Sequence, residues 1–351
     1  MAIDEIIDVR TDEGLNVDRL AAYLEDRLEN ARGPLTLRQF AGGHANLTYL
    51  LSYPAGDYVL RRPPLGPVAP GSHDMSREFS VLSRLWQAFP PAPRAHLLCD
   101  DQSVIGSPFF VMERKRGVVV RNAVPEQFGG GKDVEANRKL SDVVIDTLGD
   151  FHAVDPATCG LESLGRPDGF LDRQVDGWRD RWRHARHEDN PTAERVADWI
   201  VNHKPSQQTP TLVHNDWRLD NMAVAGDDPG KCVAVFDWDM CTRGDPLADV
   251  GTLMAVWYDE GEIPATLNPM PTSAPGFMNR AEAVERYGVR TGRDLRGFGW
   301  YLVFGTWKLA IVLQQIFIRW QRGQTRDERF AEMGDGAARL FDLAAERIPS
   351  G

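Results

Sequence analysis

A change in the period of the apolar residues between positions 113 and 137 limits this chain more than any other feature. Before it, short alternating runs at 35–40, 47–53, 57–62, 96–100 and 108–113 carry the two-residue period of half-buried strands. Pro54-Ala55-Gly56 turns the second run into the third. Helical spacing occurs in this part at 15–30, where Leu15, Val17, Leu20, Leu24 and Leu28 share one face, and at 73–87. After it, helical spacing dominates at 138–153, 170–186 and 191–203 and again towards the C-terminus, with a strand-and-loop island at 211–240. Strands first and long helices afterwards predict an α+β protein with a small β-rich lobe, 1–113, and a larger mainly helical lobe, 114–351. A chain of 351 residues has the length for two such bodies, and no internal repeat divides it further.

Charge narrows the partners. Forty Lys and Arg against 51 Asp and Glu leave a net −11, which speaks against a protein that coats nucleic acid. The 42% hydrophobic share supplies a core and excludes a disordered or collagenous chain. Cys99, Cys159, Cys232 and Cys241 form no C-x-x-C pair and no Cys/His cluster of zinc spacing, so they predict reduced thiols. The N-terminus is acidic and lacks the basic start and apolar run of an export signal, and the expected location is cytoplasmic. Residues 298–318 are apolar and long enough to span a bilayer, but Lys308 near the centre, with Gln314 and Gln315, predicts a buried helix and no membrane partner. Gly129-Gly130-Gly131-Lys132 suggests a phosphate loop. Glu126 stands at its first glycine position, however, and Asp133 at the Ser/Thr that would hold magnesium, so a mobile surface loop is expected.

The chemistry concentrates in the island. An apolar run delivers His214-Asn215-Asp216, and Asn221 follows Asp216 by five positions. Sixteen residues beyond Asn221, a second apolar run delivers Phe236-Asp237-Trp238-Asp239. Phosphoryl transfer from a nucleotide needs this set. One carboxylate orients the acceptor hydroxyl and takes its proton, while an amide oxygen and a second carboxylate hold magnesium. Singly, Asp216, Asn221 and Asp237 read equally as caps of turns and helices.

The stretch His214-Asn215-Asp216-x4-Asn221 resembles the H-G-D-x4-N loop of the aminoglycoside phosphotransferase and choline kinase-like enzymes, which belong to the protein-kinase-like superfamily. Phe236-Asp237-Trp238-Asp239 is similar to their I-D-W-E segment, and Gly244-Asp245-Pro246-Leu247-Ala248-Asp249 to their G-D-P-x-x-D motif. Asn215 departs from the family, which has Gly there. The resemblance implies a bilobal kinase fold, ATP or GTP with Mg2+ as cofactors, Asp216 as the catalytic carboxylate, and Asn221 and Asp237 as metal ligands. It implies that Asp249 braces the catalytic loop. His214 reads as a brace, Asp245 as a helix cap ahead of Pro246, and His152 as packing.

The first lobe resembles the same enzymes. Gly42-Gly43-His44-Ala45-Asn46 is similar to their nucleotide-covering loop, with Gly42, Gly43 and Asn46 as the implied contacts. Arg61 stands where the kinases place a phosphate-gripping lysine, with Arg62 the rival position. Glu78 resembles the carboxylate that pairs with that cation, the alternative being an exposed helix glutamate. Met112, Glu113 and Arg114 resemble the strand whose backbone reads the adenine edge.

Leu60-Arg61-Arg62-Pro63-Pro64, Trp307-Lys308-Leu309-Ala310 and the segment 314–325 resemble phosphotransferase-like domains related to those fused to acyl-CoA dehydrogenases. That subgroup implies a hydroxyacyl-CoA as the small-molecule hydroxyl acceptor. The acceptor site is expected from 160–205 and 255–300. Arg173, Trp178, Arg179, Arg181, Trp182, Arg183 and Arg186 fit either an anionic acceptor or a solvated helix face. Asp259, Glu260 and Glu262 could line the acidic cleft that a polycationic aminoglycoside needs. The alternatives are therefore an aminoglycoside-type kinase and a non-catalytic nucleotide-binding protein. The oligomeric state is left open.

Overall fold

The structure, a computed structural model, describes residues 6–41, 46–65, 74–266, 269–325 and 327–349. In chain order the first elements are β1 (Ile6–Ile7), α1 (Val17–Glu25), β2 (Thr36–Phe40), β3 (Leu47–Tyr53), β4 (Gly56–Arg62), α2 (Met75–Leu85), β5 (Ala95–Cys99), α3 (Gln102–Ile105), β6 (Phe109–Glu113) and β7 (Val118–Val119). There follow α4 (Val134–His152), α5 (Phe170–Ala185), α6 (Pro191–Asn202), β8 (Thr211–Val213), β9 (Met222–Ala225), β10 (Asp228–Val235) and β11 (Thr242–Gly244). The chain ends with α7 (Pro246–Ala255), α8 (Arg280–Thr291), α9 (Phe298–Gln321) and α10 (Met333–Glu346).

Contacts divide the chain into two compact units. The first comprises residues 1–120, 156–162 and 221–241, and the second comprises 121–155, 163–220 and 242–351. A single cut after residue 113 does not describe this division, because 221–241 packs with the N-terminal strands. The reason is backbone pairing: β9 pairs with β7 and β10, and the Val235 N–H donates to the Pro91 carbonyl at 2.9 Å.

The first unit is built on an antiparallel sheet of order β1-β2-β3-β4-β6-β5 among the described residues. A tight turn over Pro54 and Ala55 closes β3 onto β4, with Tyr53 opposite Gly56. Leu20, Leu24, Tyr49, Leu51, Leu60, Phe109 and Val111 form a buried cluster between α1 and the sheet. Each such side chain contributes roughly 1.5–3 kcal/mol of burial. Helix α2 packs Val81, Leu82 and Leu85 towards β5 and β6. Asp74 caps it by accepting from the Ser76 and Arg77 N–H groups.

The second unit is mainly helical, with α9 at its centre against α7, α10, α5 and α6. By length and composition α9 is apolar enough to cross a membrane, but two-thirds (67%) of that window is buried. Three of its polar side chains find partners inside the unit. The indoles of Trp300 and Trp307 donate to the carbonyls of Ile200 and Ala193, and the Gln314 amide donates to Ala185. Helices α7 and α9 cross where neither has a side chain. A Cβ added at Gly251 would collide with the Tyr301 carbonyl, and one at Gly305 with the Gly251 carbonyl.

Two local expectations need adjusting. Gly129, Gly130 and Gly131 take φ of 82°, 58° and 83°, a defined turn that brings Asp133 to the N-cap of α4, so this helix begins at Val134 and not at 138. Helix α1 stops at Glu25, yet Leu28 stays buried in the cluster beyond it. None of the four cysteines forms a disulfide.

Candidate active site

In the second unit, β8 carries the buried run Thr211-Leu212-Val213 straight into the His214–Asp220 loop. The Asp249 carboxylate, from the first turn of α7, accepts the backbone N–H groups of His214 at 2.6 Å and Asn215 at 2.7 Å. The Asp216 N–H donates to His214 Nδ1 at 3.3 Å. Trp217 is fully buried, stacks on Phe151 and donates its indole N–H to the Val144 carbonyl at 3.1 Å. These contacts pin the backbone on both sides of Asp216, whose own side chain is half-buried. Asn215 holds φ at 68°, the left-handed region that Gly and Asn tolerate best. Asn at this position thus suits the backbone conformation that the loop adopts here.

Asp249 is itself oriented. His152, buried at the end of α4, lies with Nε2 at 3.3 Å from Asp249 and Nδ1 at 2.8 Å from the Tyr287 hydroxyl. A neutral imidazole donating to Asp249 and accepting from Tyr287 satisfies all three groups. Burial holds the His152 pKa below its ordinary value even though Asp249 pulls the other way. Burial pushes Asp249 up, but the hydrogen bonds from the His152 ring and the His214 N–H help to outweigh it and keep the carboxyl below the ordinary range. Asp245 caps α7 through the Leu247 N–H and also accepts from the Gln208 N–H and the Tyr301 hydroxyl.

In the first unit, Arg61 leaves β4 and reaches Glu78 Oε1 at 2.8 Å with one nitrogen and Asp237 Oδ1 at 2.7 Å with another. Glu78 Oε1 also accepts from the Trp238 N–H at 3.4 Å. Glu78 is fully buried, not an exposed helix residue. Burial pushes its carboxyl up to about 7 against the pull of Arg61, with Asp237 and Asp239 adding to the rise. The neighbouring Arg62 points elsewhere, donating to the Ile105 carbonyl at 3.4 Å. Strand alternation separates the two arginines, and Arg61 is the one brought to the carboxylates. Asp237 sits at φ 64°, and the Phe236 N–H donates to the Asn221 carbonyl at 2.8 Å, which ties the two oxygen-bearing segments together.

A family model described as the APH phosphotransferase enzyme family matches residues 36–296. The chain belongs to that family. Acyl-CoA dehydrogenase family member 10 of Mus musculus is 30% identical over 341 residues, covering 96% of this chain and 31% of the relative. Family member 11 of Gallus gallus is 30% identical over 342 residues, covering 92% of this chain and 42% of the relative. The chain thus spans less than half the length of these relatives. Among solved structures, a Ralstonia eutropha protein provisionally described as an aminoglycoside phosphotransferase is 28% identical, with a TM-score of 0.81 over 95% of this chain and 98% of the other. A choline kinase of Cryptosporidium parvum shares the fold at 10% identity, with a TM-score of 0.64 over 95% of each chain. So does the aminoglycoside phosphotransferase APH(4)-Ia, solved with AMP-PNP and hygromycin B, at 16% identity and a TM-score of 0.59 over 94% of this chain and 99% of that one. The α+β, protein-kinase-like architecture is the one this family uses.

For this family member the remaining sequence-predicted positions fall as follows. Gly42 and Gly43 lie outside the described residues, and Asn46 is buried at the entry to β3. Met112 and Glu113 end β6, where Glu113 accepts from the Arg94 N–H. Arg114 pairs with Asp57 at 2.6 Å. Two cations near Asp216 were not singled out for that place by the sequence reading. Arg218 pairs with Asp220 at 2.7 Å and feels the Asp216 charge. Lys308 is buried on α9 and feels both Asp216 and Asp249. Arg218 stands two residues after Asp216, a spacing that could have flagged it.

Proposed function

We propose that this chain is an ATP- and Mg2+-dependent phosphotransferase that moves the γ-phosphate of a nucleoside triphosphate to a hydroxyl of a small molecule. The observation that carries the reading is Arg61, held between buried Glu78 and the Asp237 carboxylate. A guanidinium is suited to phosphate oxygens, and the buried Glu78 partner stops this one swinging away. The Asn221 amide oxygen and the Asp237 carboxylate are hard oxygen donors, the kind magnesium takes, with water and phosphate completing the shell. Among the described residues no group of three His, Cys, Asp or Glu side chains forms a richer metal cage. Bound Mg2+ would supply charge neutralisation for the phosphates.

The chain's own residues do the rest. Arg61 grips the α/β-phosphates while Glu78 keeps it in register. Gly42, Gly43 and Asn46 cover the phosphates, and the backbone of Met112, Glu113 and Arg114 reads the adenine edge. Asp216 accepts the proton of the acceptor hydroxyl as its oxygen bonds to the γ-phosphorus. The bond to the β-phosphate oxygen breaks, and the nucleoside diphosphate leaves. The acyl-CoA dehydrogenase relatives support a hydroxyacyl-CoA acceptor. An aminoglycoside is the second reading, supported by the hygromycin B complex of APH(4)-Ia. Against it, Arg218 and Lys308 near Asp216 would meet a polycation with like charge. The test is a mass-spectrometric phosphorylation screen of hydroxyacyl-CoAs, aminoglycosides, choline and sugars with wild type and Asp216→Asn. Loss of the general base lowers turnover by about 10²–10⁴-fold, with ATP affinity nearly intact. Full activity in Asp216→Asn would sink the assignment, and Mg2+-dependent ATP binding without turnover would favour a non-catalytic protein.

A further inference from the structure

Lys308 stands in the middle of the most hydrophobic long helix among the described residues, between Trp307 and Leu309, and is 8% exposed. Among the described residues no carboxylate lies within 4.0 Å of its ammonium. Its one close neighbour of note is the Trp178 ring, with Nζ 5.3 Å from the centroid. The guanidinium of Arg181 stacks on that same ring at 4.4 Å. One indole therefore gathers two cations, although like charges repel and a buried ammonium without a counter-ion is costly. Asp249 acts on the ammonium only from a distance, its oxygens being in contact with the His214, Asn215 and His152 donors. Burial drives the amine's pKa down, and Asp249 and Asp216 pull it only partly back. The packing of α9 does not call for an ammonium at this position, since Met has the same reach.

We infer that Lys308, with Arg181 across the Trp178 ring, receives an anionic oxygen group of the phosphate acceptor, a carboxylate or a phosphate, near Asp216. The inference rests on Asp216 being the proton acceptor, and it narrows the acceptor class. The missing counter-charge arrives with the substrate, so an acceptor without a negative group leaves the ammonium unpaired. Trp178 walls the position and Arg181 adds a second cation at its more exposed side. All the groups involved belong to the second unit, in α5, α9 and the Asp216 loop.

The test uses three acceptors sharing one hydroxyalkyl chain: the free hydroxy acid, its CoA thioester and its neutral methyl ester. Each is assayed with wild type, Lys308→Met and Lys308→Arg. In wild type the KM of the methyl ester should exceed that of the better charged form at least tenfold. Lys308→Met should raise the KM for the charged forms at least tenfold with kcat changed less than threefold, and Lys308→Arg should stay within threefold of wild type. Preference for the hydroxy acid assigns a carboxylate to the position, and preference for the thioester assigns a phosphate of the carrier. The melting temperature of Lys308→Met should equal or exceed that of wild type, because a buried unpaired charge is removed. Equal use of the methyl ester would overturn the inference. So would a Lys308→Met protein that melts lower and loses kcat at constant KM. If none of the three is phosphorylated, the hydroxyacyl reading of the acceptor falls, and calorimetric titration of the hydroxy acid and the thioester decides this position alone. Binding weakened tenfold or more in Lys308→Met supports it, and equal or absent binding refutes it.

Discussion

Asn215 makes the residue-scale case. Its φ of 68° costs most L residues about 1–2 kcal/mol, but Asn and Gly much less. Asn215→Gly should therefore change unfolding free energy by less than about 1 kcal/mol and keep activity. Asn215→Val should lose about 1–3 kcal/mol in urea denaturation and most of its turnover, because the N–H groups held by Asp249 would shift. Equal stability of the two variants would refute this. The sequence marked Asn215 as a departure but gave no backbone angle, since one Asn is compatible with many turns. Arg61 and Arg62 stayed rivals in the sequence: a strand alternates, so only one of two adjacent arginines can face Glu78, but alternation does not say which. Lys308 was legible as a charge in an apolar run, but what it faces depends on Trp178, 130 positions earlier in the chain. No periodicity reports that.

At the scale of elements, three helices hold the Asp216 loop through one buried relay: Tyr287 on α8, His152 on α4 and Asp249 on α7. The folded state needs His152 neutral, because its pKa lies below the ordinary 6.5. Its contribution is complete above that value and is lost as pH falls through the depressed folded pKa. Below pH 6.5 the wild type should lose up to about 1.4 kcal/mol of stability per pH step relative to His152→Gln. Parallel urea midpoints for the two proteins between pH 7.5 and 5.5 would contradict this. The α7–α9 crossing gives a second prediction. Gly305→Ala drives a methyl into the Gly251 carbonyl and should cost about 1–3 kcal/mol, seen as a lower melting temperature. A neutral effect would mean that the crossing can relax. Strands β2 to β6 and the cores of α1, α2, α4, α5 and α6 were readable from period alone, whereas β1, β7 and β11 are too short to show one. The ends were not, because caps such as Asp133 depend on preceding turns whose geometry hydrophobicity does not encode.

At the scale of the whole molecule, a net charge of −11 coexists with a proposed polyanionic ligand. The positive charge is local: Arg61 in one unit, Arg218 and Lys308 in the other. Mg2+ with ATP at a hundredfold excess over Kd should stabilise the protein by about 2.7 kcal/mol. The melting temperature should rise accordingly, and the rise should vanish with a chelator or in Asp237→Ala. A rise of equal size without the metal would refute the role given to Asp237. Segment 221–241 escaped the sequence division because its allegiance is set by pairing with Val118, Val119 and Pro91, more than 100 residues earlier. That allegiance bears on synthesis. A ribosome that has released the N-terminal strands has not yet made β9 and β10, and it makes most of α4 to β8 before they appear. The half of the protein begun first can be completed only after much of the other has emerged, so vectorial folding in the order of translation is interrupted. A split-protein pair cut after residue 120 would leave the N-terminal fragment waiting for a hairpin carried by its complement.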